Sequence, residues 1–475
     1  LFVLCIAQFV LQLDFSVVNI ALKTIQGELR FSAVGLQWVI TGYGLTYGSL
    51  LLFGGRIGDR VGRRRTLIFG LGLFAASSAA CAVAGSPLFL VAPRIVQGMA
   101  AALVAPAVLA LLTATYADGL ERTRALGYWT AATAGGAMAG IVLGGLMTEY
   151  LGWRSVFIIN VPLVAVLIPL ARRTLPESLG DRGRDLDLAG SAAVTLSLGA
   201  LIYGLGSGEQ RGFGAAETLM ALIAAVLLAG AFILIERHAA EPVLPLHFIG
   251  APTRRISIVA LVVVAGVLGG YVYFVALAMQ QVIGLSGAET AVAFLPGPII
   301  VAVLSTFYTR RVIARYGLEP VLLIGIAMVA AGQLWLSQLT DSSSYLGGVM
   351  PALFLTGSGA GLVLPGVAVG IASGVTGPQE SLAGGLIPTA QQIGATAGVA
   401  VLATIAAAAT SAHGGDVAVG YSTGFAVSTG LLAVLATIVL LAWRRPLKSI
   451  HMFRRDNMST FGLLPRWRAS KRRRR

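Results

Sequence analysis

Apolar runs about 20 residues long recur through the whole chain, and about 20 is what a helix needs to cross the hydrocarbon core of a bilayer. Their expected cores are 1–22, 34–54, 66–86, 88–112, 125–148, 155–171, 188–206, 217–235, 256–282, 289–308, 320–339, 345–370, 385–408 and 419–443, fourteen spans joined by short polar connections. No connection is long enough for a separate soluble domain. Charge content agrees: 11% of the 475 residues are charged, against about 25% in a soluble domain. That leaves too little polar surface to cover a globule in water. The 60 glycines suit helices that pack backbone to backbone in a membrane. The expected fold class is therefore an all-α polytopic membrane protein.

Span 1 lacks the basic leader and small-residue cleavage site of a signal peptide, and Asp14 interrupts it. A start at Leu1 inside an apolar run points to a trimmed N-terminus. Cys5 and Cys81 lie far apart in apolar runs, and His238, His247, His413 and His451 share no ligand spacing; no metal site is expected. Gly420-Tyr421-Ser422-Thr423-Gly424 matches the nucleophile-elbow pattern, but it opens a membrane span with no strand before it. With no phosphate-cradling Gly-Lys loop either, neither an enzyme nor an ATP-driven pump is expected.

Basic residues orient the chain. Connections after even-numbered spans hold 17 Lys and Arg, those after odd-numbered spans hold 4, and the tail 444–475 holds 12. The positive-inside rule places the even connections and both termini in the cytoplasm of a cell-membrane protein. The net charge of +14 is thus a topology signal, and no nucleic acid is implied. The tail is read as a solvated anchor or as a contact for anionic lipid headgroups.

Between spans 2 and 3 stands Gly55-Arg56-Ile57-Gly58-Asp59-Arg60-Val61-Gly62-Arg63-Arg64-Arg65, read as a tight cytoplasmic loop in which Asp59 pairs with arginines or caps a helix. This segment resembles the signature loop of the major facilitator superfamily, Gly-x-x-x-Asp-Arg-x-Gly-Arg-Arg. Three further segments resemble the fourteen-helix drug:proton antiporters of that superfamily. They are Leu13-Asp14 with Val18-Asn19-Ile20-Ala21-Leu22, then Arg94-Ile95-Val96-Gln97-Gly98, then Gly144-Gly145 followed by Trp153-Arg154 and Phe157-Ile158-Ile159-Asn160-Val161-Pro162. Gln391-Gln392-Ile393-Gly394 fits as well. Two positions depart from the family pattern: Lys23 stands where a Pro is usual, and Ile141 follows Gly140 where Gly-Pro is usual. The stripe Gly136, Gly140, Gly144 still permits close helix approach.

The resemblance implies a major facilitator fold arranged as 6 + 2 + 6 helices. Residues 1–172 would form one six-helix half, 173–255 a two-helix insertion with its linkers, and 256–443 the second half. It implies proton-coupled export of hydrophobic or cationic small molecules by alternating access, with the proton gradient as energy source and no cofactor. On that reading Gly55, Asp59, Arg60, Gly62 and Arg63 form the conformational switch. Alternatives are a dedicated exporter or importer of one metabolite, and a non-transporting membrane receptor or sensor. Expected partners are the substrate, protons and membrane lipid, with a monomer as the working unit.

Asp14 is the one carboxylate deep in an expected span and Arg94 the one deep base. Each costs about 2.5–3.5 kcal/mol at a helix centre, so neither should face lipid. Counting along their spans puts them roughly 12 and 9 Å below the outer surface. The pair is read either as a static ion pair or as a proton-coupling site whose affinity changes when Arg94 moves relative to Asp14. Polar and aromatic candidates for a substrate cavity are Gln37, Trp38, Tyr43, Tyr47, Trp129, Tyr273, Gln280 and Gln281.

Overall fold

The computed structural model describes residues 1–116, 120–178, 188–238, 250–373 and 378–443. The tail 444–475 and its arginines lie outside the described residues, as do Arg182, Arg184, His247 and His451. Among the described residues there is no β-strand.

The chain runs through α1 (Phe2–Leu29), the short α2 (Ala33–Leu36), α3 (Trp38–Val61), α4 (Arg63–Ala82), α5 (Pro87–Thr115), α6 (Leu120–Leu151), the short α7 (Ser155–Ile158), α8 (Asn160–Thr174), α9 (Leu188–Arg211) and α10 (Ala216–His238). It continues through α11 (Pro252–Gln281), α12 (Gly287–Phe294), α13 (Pro296–Val303), α14 (Thr309–Tyr316), α15 (Leu318–Leu336), α16 (Met350–Ala372), α17 (Pro378–Ala412) and α18 (Val417–Trp443). Twelve helical stretches among the described residues are long and apolar enough to cross a membrane. Two expected spans fall outside that set. Helix α3 is 24 residues long, but Tyr43, Thr46, Tyr47, Ser49 and several glycines dilute its apolarity. Helix α9 is equally long, with a shorter apolar stretch at Ala192–Leu205.

Several boundaries differ from the sequence expectation, for identifiable reasons. Helix α1 continues to Leu29 instead of stopping at Leu22, because Glu28 near its end accepts hydrogen bonds from Trp153 Nε1 (2.8 Å) and Arg154 Nη1 (2.6 Å). The expected loop 55–65 is mostly helix. Helix α3 runs through Val61 and α4 begins at Arg63, so Gly62 alone makes the turn, at φ 120°. Only glycine adopts that backbone without strain. Helix α7 ends one turn before Pro162 and α12 ends just before Pro296, since a proline ring has no N–H to return to the preceding turn. A π-helical turn, Leu304–Tyr308, joins α13 to α14, and Thr309 Oγ1 donates across it to the Leu304 carbonyl at 2.9 Å.

Helix α1 packs along α6, α5 packs between α3 and α4, and α8 packs on α4. The later helices repeat the arrangement: α11 lies along α17, and α16 packs on α13 and α15. Helices α9 and α10 form a hairpin that touches α3 and α17. The two sets of helices meet where α3 touches α17, α6 touches α12 and α1 touches α11. Those approaches lie away from the Gly62 turn, from mid-α3 to the helix ends opposite it. Gly48 is seated on Gln392, Gly145 on Gly287, and Lys23 Nζ donates to the Gln280 carbonyl at 2.5 Å.

Candidate functional site

Asp14 sits halfway along α1 and is fully buried. A buried carboxylate must be paired and hydrogen-bonded to be tolerated, and three side chains meet that need. Arg94 Nη1 donates to Asp14 Oδ2 at 2.7 Å, while Gln97 Nε2 (2.9 Å) and Asn160 Nδ2 (2.7 Å) donate to Oδ1. Arg94 and Gln97 lie one turn apart on α5, Asn160 opens α8, and Ser78 on α4 accepts from both amides at 3.2 and 3.0 Å. Arg94, fully buried as well, also donates from Nη1 to Gln97 Oε1 at 2.7 Å and from Nε to the Val39 carbonyl at 3.0 Å. Its guanidinium lies over the Tyr43 ring, 4.4 Å from the centroid, a geometry that favours the cation.

The acid and base expected from their scarcity are thus brought together. Helix α1 runs seven residues beyond its expected end. Arg94 and Asp14 belong to helices of the same packed set, bridged by Ser78 of α4 and Asn160 of α8. Gln97 and Asn160 belong to motifs quoted from the sequence, but their convergence on Asp14 was missed. Ser78 carried no signal.

The face of α1 beside Asp14 looks elsewhere. Phe15 and Asn19 line a cavity of about 180 Å³ between the two helix sets, together with Ile40 and, from α17, Gln391, Gln392 and Thr396. Asp14 and this cavity are joined by ring contacts: Phe15 lies 6.0 Å from Tyr43, the ring that covers Arg94. Behind α1, the glycine stripe brings α6 against its backbone. A Cβ on Gly136, Gly140 or Gly144 would stand 2.5, 2.6 or 2.7 Å from the carbonyl oxygens of Phe9, Leu13 and Val17. Gly145, one residue further round α6, instead meets Gly287 and Ala291 of α12.

At the other end of the molecule, Asp59 Oδ1 accepts from Arg63 Nη2 at 2.8 Å and Nε at 2.9 Å, closing the single-residue turn from one helix to the next. Arg63 Nη1 also donates to the Ala110 carbonyl (3.4 Å). Arg60 lies in the last turn of α3, where a cation complements the helix dipole. Gly55 faces Pro106 of α5, at 3.5 Å from where a Cβ would stand.

None of the eight polar and aromatic candidates lines the 180 Å³ cavity in this conformation. Tyr43 and Tyr47 share a face as expected, with rings 5.7 Å apart, but both are buried inside the first helix set. Gln37 is buried at the N-cap of α3, and Trp38 packs with Leu45, Ile202 and Ala400 where α3, α9 and α17 meet. Trp129 packs half-buried on the core of the first set. Tyr273 is buried against Phe274, with rings 5.3 Å apart. Gln280 and Gln281 fasten α11 to α1: Gln280 Nε2 donates to the Ile20 carbonyl and Gln281 Nε2 to Gln26 Oε1, both at 3.1 Å. The 420–424 elbow pattern lies inside α18, with Ser422 Oγ donating to the Val419 carbonyl at 3.0 Å.

The sequence profile of the Major Facilitator Superfamily matches residues 4–313. The cephamycin export protein CmcT of Amycolatopsis lactamdurans is 35% identical over 458 residues, covering 94% of this chain and 94% of its own length. The puromycin resistance protein pur8 of Streptomyces alboniger is 35% identical over 459 residues, covering 93% of this chain and 90% of its own. Among solved structures, the POT family transporter PepTSo superposes with a TM-score of 0.70 at 14% identity, over 93% of this chain and 97% of its own. A bacterial homologue of the human lysosomal transporter Spinster gives 0.66 at 16%, over 93% and 96%. These two share the fold; the export and resistance proteins share sequence along nearly their whole length. This multi-pass membrane chain, with its signature turn at Gly62, belongs to the major facilitator superfamily.

Proposed function

We propose that the protein exports hydrophobic or cationic small molecules of the antibiotic type and is driven by protons. Membership of this superfamily makes it a secondary transporter and not an enzyme. Relatives whose names speak of cephamycin export and puromycin resistance support the export reading. The observation that carries the coupling is the sealed Asp14 network, linked through Tyr43 and Phe15 to the cavity between the helix sets. Substrate pressing on Phe15 holds the Tyr43 ring against Arg94, which keeps Arg94 on the Asp14 carboxylate and excludes the proton; with the cavity empty the rings relax, the hold loosens and Asp14 takes a proton. Coupling of this kind needs only that proton and substrate favour different states. It replaces any need for Arg94 and Asp14 to part as the sets rock.

The same proposal assigns the remaining architecture. Residues 1–172 and 256–443 act as two halves that rock about the cavity, with α9 and α10 inserted between them. Helices α3 and α9 cross the membrane too, which makes fourteen spans. The Gly62 turn faces the cytoplasm of a cell membrane, following the excess of basic residues on that side. The conformation described, held together on the far side, is then inward-facing. Asp59 bonds to Arg63 of its own half here, and this segment engages the other half when the cavity turns outward.

The test is transport by purified protein in liposomes under an imposed pH gradient, with puromycin heading a panel of antibiotics and organic cations. Movement of at least one compound that collapses when the gradient is dissipated is expected. No flux of any compound would favour a receptor or sensor, and flux indifferent to the gradient would remove the proton from the account.

A further inference from the structure

On the outer surface of the first helix set, a groove of about 850 Å³ runs between α4 and α8. Its mouth, at the Gly62 end, is formed by Arg64, Arg65 and Arg172. Its floor includes Gly72, where a Cβ would meet nothing within 4 Å, and Phe69, an exposed wall residue, lies beside it. We propose that this groove binds a phospholipid with an anionic headgroup, its phosphate held by Arg65 and Arg172 and one acyl chain lying along Gly72.

Charge and length both select that occupant. Helix α4 opens with three arginines and no acid in its first turn, although the dipole there favours anions. The acid facing the mouth is Glu177. One of its oxygens accepts from the Arg64 N–H at 3.1 Å, and the other lies 3.6 Å from Arg64 Nε and 3.7 Å from Arg65 Nε. Arg64 is further occupied by the Leu175 carbonyl at 3.0 Å. Among the described residues Glu177 thus faces Arg64 and Arg65, and the side chains of Arg65 and Arg172 remain largely exposed for a phosphate. From Arg65 to Ala76 the groove follows eleven residues of helix, about 16 Å at 1.5 Å each. That matches one leaflet, half of the roughly 30 Å hydrocarbon core. A free phosphate would satisfy the mouth and leave the apolar floor bare; a zwitterionic lipid would fill the floor and leave the arginines in excess.

Native mass spectrometry of the detergent-purified protein tests the site, using phosphatidylglycerol, phosphatidylcholine and inorganic phosphate as separate probes. Phosphatidylglycerol should be retained at least about fivefold over phosphatidylcholine, and each of Arg65→Gln and Arg172→Gln should lower its retention about fivefold. Gly72→Leu, which fills the floor, should displace the lipid with both arginines intact. Millimolar phosphate should not compete. Equal retention of the two lipids by the wild-type protein would overturn the proposal without recourse to any variant. Displacement of phosphatidylglycerol by phosphate would reduce the mouth to a free-anion site and overturn it too. Because the readout is bound lipid, the outcome does not depend on what the protein transports.

Discussion

Asp14 and Phe15 are chain neighbours that point about 100° apart on α1, one into a sealed polar network and the other into the cavity. Tyr43 stands between them, its ring packed on Arg94 and its hydroxyl without a hydrogen-bond partner among the described residues. The ring therefore matters and the hydroxyl does not. Tyr43→Phe should transport like the wild type, whereas Tyr43→Ala should lose proton coupling while still binding substrate. Measuring protons moved per substrate in both variants checks this, and a coupled Tyr43→Ala would break the relay. How far this site was legible is a matter of sequence distance. Asp14 and Arg94 announced themselves because charges in apolar spans are costly. Their amide partners did not, because Gln97 and Asn160 reach Asp14 across 83 and 146 residues, which no local periodicity records. Residue type marks the cavity candidates, and type does not say which face of a helix a neighbour will cover.

At the scale of elements, adjacent glycines perform different tasks. Gly144 holds α6 against α1 within one helix set, and Gly145 holds it against α12 of the other set. Gly140→Leu should therefore prevent folding. Gly145→Leu should leave the half intact and keep the far side from closing. Labelling of Ala288→Cys by a membrane-impermeant maleimide should then be faster in the Gly145→Leu background; an unchanged rate would mean that this contact does not set the equilibrium. The second half uses the same device, with Gly394 and Gly398 of α17 seated on Val262 and Gly266 of α11. The Asp59–Arg63 pair is partly exposed and four residues apart on neighbouring helix ends, so it should be worth less than about 1 kcal/mol in this state. Asp59→Asn should leave Tm nearly unchanged yet slow transport by more than about fivefold, with substrate Kd unaltered. A large loss of binding in folded protein would contradict a switching role. Twelve of the expected spans were legible from hydropathy because bilayer thickness sets their length. The 55–65 segment was not, because polar residues past the membrane surface can continue a helix as readily as end it.

For the whole molecule, sidedness and coupling are read out in the membrane. Ser342 lies exposed in the connection between α15 and α16, and Thr174 lies exposed at the Gly62 end of α8. In intact cells Ser342→Cys should react with an impermeant maleimide and Thr174→Cys should not; the reverse pattern would invert the topology. The central claim is that one buried carboxylate couples protons to export. It is tested most directly by comparing wild type and Asp14→Asn in liposomes, with an imposed pH gradient and puromycin or another compound that the wild-type protein carries. Removing the acid leaves Arg94 buried without its counter-charge, at a stability cost of about 3–5 kcal/mol, so both proteins are first shown to be folded and to bind substrate. Gradient-driven accumulation in the wild type, and only downhill exchange in Asp14→Asn, is the predicted result. Accumulation driven equally well by Asp14→Asn would contradict the account and leave the Asp14–Arg94 network as a structural clasp.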